Sequence, residues 1–343
     1  MRHLLNTLFV TSEDIYLTLD GENIVANRDK TVIARYPLHT LSGIISFSYP
    51  GASPALMGAC AQRGIALSFC TPRGRFLARV TGEANGNVLL RRAQYRAADD
   101  PNQSCRIART MIFGKIHNGR WSVERTRRDH ALRVDAERLK VVSDQMKALL
   151  PQILQAGDLE QLRGLEGVAA NAYFGGFEEM ILGDRDTFAF DKRSRRPPLN
   201  PTNALLSFVY SLLSYDCAAA LESVGLDSYV GFLHRDRPGR SSLALDLMEE
   251  LRPCVADRFV LTLINNRILK EEDFVRQDNG GVFLRDDARR TVLKRWQERK
   301  KETLTHPYLG EKIPWGLVTY LQALLLARYL REDLDAYPPF LWK

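Results

Sequence analysis

The sequence predicts an α+β protein, a small β-rich N-terminal domain followed by an all-helical domain. Three observations carry that prediction. From His3 to about Thr81, β-branched and aromatic residues recur in short runs at strand periodicity, separated by turn residues. From about Asn87 the period becomes that of helices and does not change back. At 343 residues the chain suits about two domains. The expected division is 1–85 for the β-rich domain, 86–101 for a linker with a first helix, and 102–343 for the helical domain.

The strand-like runs are LLNTLFV, DIYLTLD, NIVANR, TVIARYP, LSGIISFS, IALSFC and RFLARV. Asp20-Gly21 and Pro72-Arg73-Gly74 supply turns, because Gly tolerates positive φ and Pro fixes its own φ. One helix, Ser53 to Arg63, interrupts the strands and ends at Gly64. NVLLRRAQYRAA opens the helical part, and Asp99-Asp100-Pro101 reads as a breaker and linker. Helices are expected at about 102–118, 121–148, 158–182, 203–223, 243–270, 287–304 and 315–332. Lys192 to Pro198 is a basic loop, since consecutive prolines exclude helix, and Thr202 or Asn203 can cap the helix after it.

Composition narrows the class. Hydrophobic residues make up 45% and charged residues 26%, so the chain can bury an ordinary core. A net charge of +7 suits an anionic partner such as nucleic acid without demanding one. Cys60, Cys70, Cys105, Cys217 and Cys254 are scattered with no CxxC pair. That pattern favours reduced, buried thiols in a cytoplasmic protein over a zinc knuckle or disulfide framework. The N-terminus turns polar too early for a secretory signal, and the longest apolar run, Ala204 to Tyr215, is too short to cross a bilayer; no membrane association is expected. Phosphate-loop, HExxH, GxSxG and dinucleotide fingerprints are all missing.

The stretch GFLHRDRPGRSSLALDLMEELRP, Gly231 to Pro253, joins a histidine in an apolar setting to a basic loop and then a helix. On that helix Asp246 and Glu249 share one face, while Leu243, Leu247 and Leu251 form an apolar stripe. Two carboxylates with an imidazole folded over them can bind a divalent metal. His234 also fits a satisfied core histidine, and the acids a solvated face. Glu166, set among small residues, is either partly buried beside a cation or a surface glutamate paired with Arg163. Three basic clusters stand out: Lys192–Arg196, Arg235–Arg240, and Arg285–Lys301. The last is interleaved with acids and reads as a salt-bridged helix.

Four blocks in order resemble a known family: LEG…ANAYF from Leu165; RRPP…NP…NALLSFVY from Arg195; GLD…GFLH from Gly225; and LDLMEELRP from Leu245. Together they resemble the CRISPR-associated adaptation integrase, protein one of that set, over essentially the whole chain. The C-terminal GL…QALLLAR and YPPFLWK resemble its I-C subtype. The resemblance implies a β-rich domain joined to a helical catalytic domain, and a metal-dependent DNA endonuclease that joins spacer 3′-OH ends into the repeat by transesterification. It implies Mn²⁺ or Mg²⁺ held by Glu166, His234 and Glu249, with Asp246 as a nearby second carboxylate. Some relatives carry Asp at the ligand position where this chain has Glu249. Arg195, Arg196, Arg235, Arg237 and Arg240 would then hold phosphates of double-stranded DNA. A homodimer formed through residues 1–85 and a small second CRISPR adaptation protein are the implied partners. A non-catalytic nucleic-acid scaffold and a small-molecule metallohydrolase are the rival readings.

Overall fold

A computed structural model describes residues 7–41, 43–71, 76–80, 82 and 88–343. The turn at Pro72-Arg73-Gly74 and the boundary after residue 85 lie outside the described residues. Packing divides the chain into two compact units, 1–86 with 289–302, and 87–288 with 303–343.

The first unit contains β1 (Thr7–Val10), β2 (Tyr16–Asp20), β3 (Asn23–Arg28), β4 (Thr31–Pro37), β5 (Gly43–Ser46), α1 (Pro54–Arg63), β6 (Ala66–Cys70) and β7 (Phe76–Val80). One sheet has the order β1-β5-β6-β7 and the other β2-β3-β4. β5 runs parallel to both β1 and β6, and α1 is the crossover that a parallel β5–β6 pair requires. Ser53 starts α1 by accepting the Leu56 N–H at 3.3 Å. Leu17, Ile24, Leu38, Ile44, Leu56, Cys60 and Leu67 fill the core between these elements. Residues 289–302 complete the unit, so it is not contiguous in sequence. Periodicity marks that stretch as a helix but cannot say which core its apolar face joins.

The second unit begins with α2 (Val88–Asp99), α3 (Pro101–Asp129), α4 (Ala136–Gln155), α5 (Leu159–Gly175) and α6 (Pro201–Ser223). It continues through α7 (Ser242–Glu249), α8 (Arg258–Asn265), the hairpin β8 (Phe274–Arg276) and β9 (Val282–Leu284), and the start of α9 (Asp286–Lys301). The hairpin β10 (Thr303–Thr305) and β11 (Lys312–Pro314) and the helix α10 (Val318–Leu330) follow. The unit is therefore mostly rather than wholly helical. Each of the two hairpins has strands of three residues, too short to show a period-2 signal.

Several local expectations change. Asp99-Asp100-Pro101 is a helix junction and not a linker: Asp100 accepts the Asn102 N–H at 2.8 Å and Pro101 takes the first turn, where its missing N–H costs nothing. The helices expected at 102–118 and 121–148 redivide as α3 and α4, because Asp135 caps α4 through the Arg138 N–H at 2.9 Å. Asn200, not Thr202 or Asn203, caps α6, accepting the Asn203 N–H at 2.8 Å. At 23 residues α6 is longer than the apolar run suggested; its span Pro201–Glu222 could cross a membrane by length and composition, and 56% of its most apolar window is buried within the protein. The helix expected at 243–270 is broken by Pro253, which cannot donate to the Glu249 carbonyl; a π-helical turn, Arg252–Asp257, replaces the α ladder there. All five cysteines are free and buried.

Candidate active site

Three helices bring one charged side chain each to a shared point. Lys115 comes from α3, Glu166 from α5 and Glu249 from the last position of α7. Lys115 Nζ contacts Glu166 Oε1 and lies 2.7 Å from Glu249 Oε2. Arg252 donates from the other side, 3.0 Å from Glu249 Oε1. Burial alone would raise the Glu249 pKa, but the charges of Arg252, Lys115 and His234 outweigh it and hold the carboxyl down at about 2. Glu249 is thus a buried carboxylate that stays ionised. The alternative of a solvated acidic face is excluded, with Asp246 0% and Glu249 3% exposed.

The loop before α7 is built around Asp246. Its Oδ2 accepts the backbone N–H groups of Phe232 at 2.6 Å and Leu233 at 2.9 Å, and its Oδ1 accepts that of His234 at 3.0 Å. The same Oδ1 sits 2.5 Å from His234 Nδ1. Gly231 is required for this wrap, since a Cβ there would lie 2.8 Å from Asp246 Oδ2 and 2.9 Å from the Ser242 backbone. Asp246 therefore fixes both the His234 backbone and its ring, committing Nδ1 and leaving Nε2 as the nitrogen free to act. Arg163, one turn before Glu166 on α5, ties the loop down through the Leu233 carbonyl at 2.6 Å. It pairs with Glu160 and not with Glu166, whose partner is Lys115.

Glu250 turns the opposite way. It accepts Tyr337 OH at 2.5 Å, Gln322 Nε2 at 2.9 Å and the Phe340 N–H at 2.9 Å. Its neighbours are neutral donors, so burial dominates and pushes its pKa up to about 7. Asn118, one turn beyond Lys115 on α3, donates to the carbonyls of Glu250 and Phe340, both at 2.7 Å, and accepts the Trp342 N–H at 2.8 Å. Gly114 lets α3 come this close, because a Cβ there would stand 2.9 Å from the Glu250 Cβ. The chain end from Tyr337 to Trp342 thus clamps the back of the turn whose front carries Glu249.

A cleft of about 40 Å³ opens beside Lys115 and Glu166, with Arg195, Arg252, Tyr210 and Asp257 on its walls. Asp257 accepts Tyr210 OH at 2.6 Å and Tyr173 OH at 2.9 Å, and burial still pushes its carboxyl up to about 6. Of the five arginines expected to meet phosphates, Arg195 borders this cleft and Arg196 is exposed beside it in sequence. Arg235 is exposed and pairs with Glu160 at 2.7 Å; Arg237 is exposed. Arg240 folds back on the Arg235 carbonyl and reaches Ser242 Oγ at 3.3 Å. Sequence reading missed Lys115, which stands in FGKIHNGR with no distinguishing pattern, and Arg252, whose i,i+3 spacing from Glu249 was a visible signal.

The donor chemistry suits a hard divalent ion. Two carboxylates and an imidazole offer oxygen and nitrogen ligands. Glu249 Oε2 is a buried oxygen without an aligned hydrogen bond, its contact with Lys115 being one of charge. Among the described residues no three histidine, cysteine or carboxylate side chains close on a common centre; the two glutamates close on Lys115.

The profile of the family described as CRISPR associated protein Cas1 matches residues 8–298. The chain is 53% identical to "CRISPR-associated endonuclease Cas1 2" of Rhodospirillum rubrum and 48% identical to "CRISPR-associated endonuclease Cas1 1" of Chlorobaculum tepidum, each match covering 100% of both chains. Among solved structures, a casposase bound to integration product superposes with a TM-score of 0.82 at 22% identity, covering 99% of this chain and 94% of the other. A Cas1 protein from Thermotoga maritima superposes with a TM-score of 0.80 at 21% identity, over 95% and 96%. At those identities the two structures bear on the fold, a β-rich N-terminal region followed by a mostly helical domain. The sequence relatives bear on the family: the chain belongs to the Cas1 family of CRISPR-associated endonucleases.

Proposed function

We propose that the point shared by α3, α5 and α7 is the catalytic centre of a DNA endonuclease and integrase that joins spacer 3′-OH ends into a CRISPR repeat. The observation that carries this reading is the convergence of Glu166 and Glu249, from separate helices, on one partly buried cation position beside a cleft edged with arginine. Glu166, His234 and Glu249 would hold a divalent ion, Mn²⁺ or Mg²⁺, with Asp246 behind His234. When bound, that ion would supply positive charge to the scissile phosphate and favour the deprotonated form of the attacking hydroxyl.

The protein's own residues do the rest. Glu249 stays a carboxylate across the working pH range, since its pKa is held at about 2. Asp246 keeps His234 in one tautomer and one orientation. Arg195 at the cleft, with Arg196, Arg235, Arg237 and Arg240, would hold phosphates and set register without reading sequence. A spacer 3′-OH forms a new P–O bond while the repeat strand's P–O bond breaks, and the proton of the attacking hydroxyl leaves as the departing oxygen gains one. Water in place of the 3′-OH makes the same step a hydrolysis.

The division into a dimerisation domain at 1–85, a connecting stretch at 86–101 that holds the first helix, α2, and a catalytic domain at 102–343 belongs to this reading. Val32 and Ile33 on β4, 48% and 51% exposed, supply an apolar surface for a homodimer. A solved structure named "Cas6-RT-Cas1--Cas2 complex", 36% of whose matched chain this protein covers, shares the fold at a TM-score of 0.82, which accords with a small second adaptation protein as partner. The C-terminal blocks support subtype I-C, and the buried free thiols accord with a cytoplasmic setting. Strand transfer with labelled pre-spacer DNA, with and without Mn²⁺, tests the core of the reading. Wild type should require the metal, and Glu166→Ala should lose transfer yet keep DNA binding. Metal-independent behaviour in both would return the protein to a scaffold.

A further inference from the structure

We propose that Lys115 is a place-holding counter-ion: its ammonium keeps Glu166 and Glu249 at their shared point until a divalent ion displaces it. This rests on the metal reading above. Lys115 Nζ contacts Glu166 Oε1 and stands 2.7 Å from Glu249 Oε2, so it uses oxygens from both helices that a metal would need. The site is partly shielded from water, with the side chains of Lys115, Glu166 and Glu249 16%, 27% and 4% exposed. Two carboxylates held together there without a cation would repel one another with only partial screening by water.

Charge counting shows why the two cations exclude each other. Glu166 and Glu249 are balanced by Lys115 and Arg252, which leaves the cluster neutral. A divalent ion added to that neutral cluster would bury two uncompensated positive charges, whereas withdrawal of the lysine removes one of them. A lysine suits this duty because its compact charge rides on a flexible stem and can leave without moving the backbone. Arg252 is placed differently: it lies on Glu249 Oε1, three residues along the same chain, and can stay when Lys115 goes. The displaced ammonium remains on the cleft it lines with Arg195, available to a phosphate oxygen of the incoming DNA. Lys115 is thus a positioning residue that sets metal affinity.

The test uses the full chain: calorimetric Mn²⁺ titration and thermal melting of wild type, Lys115→Gln, Lys115→Arg and Glu166→Gln. Lys115→Gln should bind Mn²⁺ about fivefold more tightly or better, corresponding to relief of one competing ion pair. Its metal-free form should melt lower than wild type, and its rise in Tm with Mn²⁺ should be larger. Lys115→Arg should stay at or below wild-type affinity. If Glu166→Gln weakens Mn²⁺ binding but Lys115→Gln leaves it unchanged or weaker, the metal site stands and the place-holder is overturned. If wild type and Glu166→Gln bind Mn²⁺ equally, or not at all, both readings fall. Should Lys115→Gln not fold, the ¹⁵N-labelled Lys115 ammonium signal of wild type decides. It should lose its protection in step with added Mg²⁺, and an unchanged signal at saturation would overturn the proposal.

Discussion

Glu249 and Glu250 are neighbours in sequence and opposites in chemistry. One faces Lys115, Arg252 and His234 and is held ionised with a pKa of about 2. The other faces Tyr337, Gln322 and the Phe340 N–H, none of them charged, and burial raises it to about 7. Both are buried, so burial does not separate the carboxylate proposed to hold a metal from the structural one. The sign of the surrounding charge does. A step of about 100° around the helix takes the chain from a site built to hold cations to a clamp built from neutral donors.

That contrast can be broken most strongly at Glu249. Glu249→Gln keeps shape and removes charge, and should lower Mn²⁺-dependent strand transfer on the order of 10²-fold or more, with some loss of stability because the buried Arg252 loses its carboxylate. Single-turnover rates of the folded variant check this. Glu250→Ala should leave the rate alone, costing about 3–5 kcal/mol of stability because it opens a cavity and strands three buried donors. The properly folded fraction should retain its rate per molecule, as read by denaturant titration alongside the assay.

The next effect is one of pH. Glu250 is raised in the folded state, so between pH of about 4.5 and 7 the folded protein keeps a proton that the unfolded chain releases. Stability should therefore fall as pH climbs through that window, on the order of 3 kcal/mol from this group, and Glu250→Gln should reduce the slope to what Asp257, raised to about 6, contributes with the same sign. Glu249 acts with the opposite sign: its contribution is present above the unfolded value and is lost as pH falls towards about 2. Asp246→Asn should cost less than Glu249→Gln, roughly 10–100-fold in metal affinity or rate, since it acts through His234. A larger loss than in Glu249→Gln would make Asp246 the direct ligand. The smallest effect is expected at Arg235, exposed and paired with Glu160. Arg235→Ala should weaken DNA binding slightly and lower the salt slope by about one unit, seen by anisotropy at several salt concentrations.

The change of period near Asn87 made the two-part architecture legible, because strand and helix patterns differ along the chain itself. The ordered motif blocks pointed to Glu166, His234, Asp246 and Glu249; the structure brings Glu166 and Glu249 together on Lys115 and pairs His234 with Asp246. Lys115 was not, because its meaning lies in two carboxylates contributed by distant helices, and a lone lysine on α3 carries no spacing signal. Glu250 stands one position from Glu249 with no local signal of its own role. That it seats Tyr337 and Phe340 depends on where the chain end returns, which no local pattern states. The break at Pro253 was visible as a proline, but its consequence, a π turn that follows Glu249, emerges only from packing.

The most direct test of the account is a calorimetric Mn²⁺ titration of two isosteric variants, Glu249→Gln and Glu250→Gln, beside wild type. The account predicts that Glu249→Gln loses most of its Mn²⁺ affinity, on the order of 10²-fold or more and beyond what an outer-shell change costs, while Glu250→Gln binds as wild type does. Retained binding in Glu249→Gln together with loss in Glu250→Gln would contradict it, and would move the metal centre to the other side of α7.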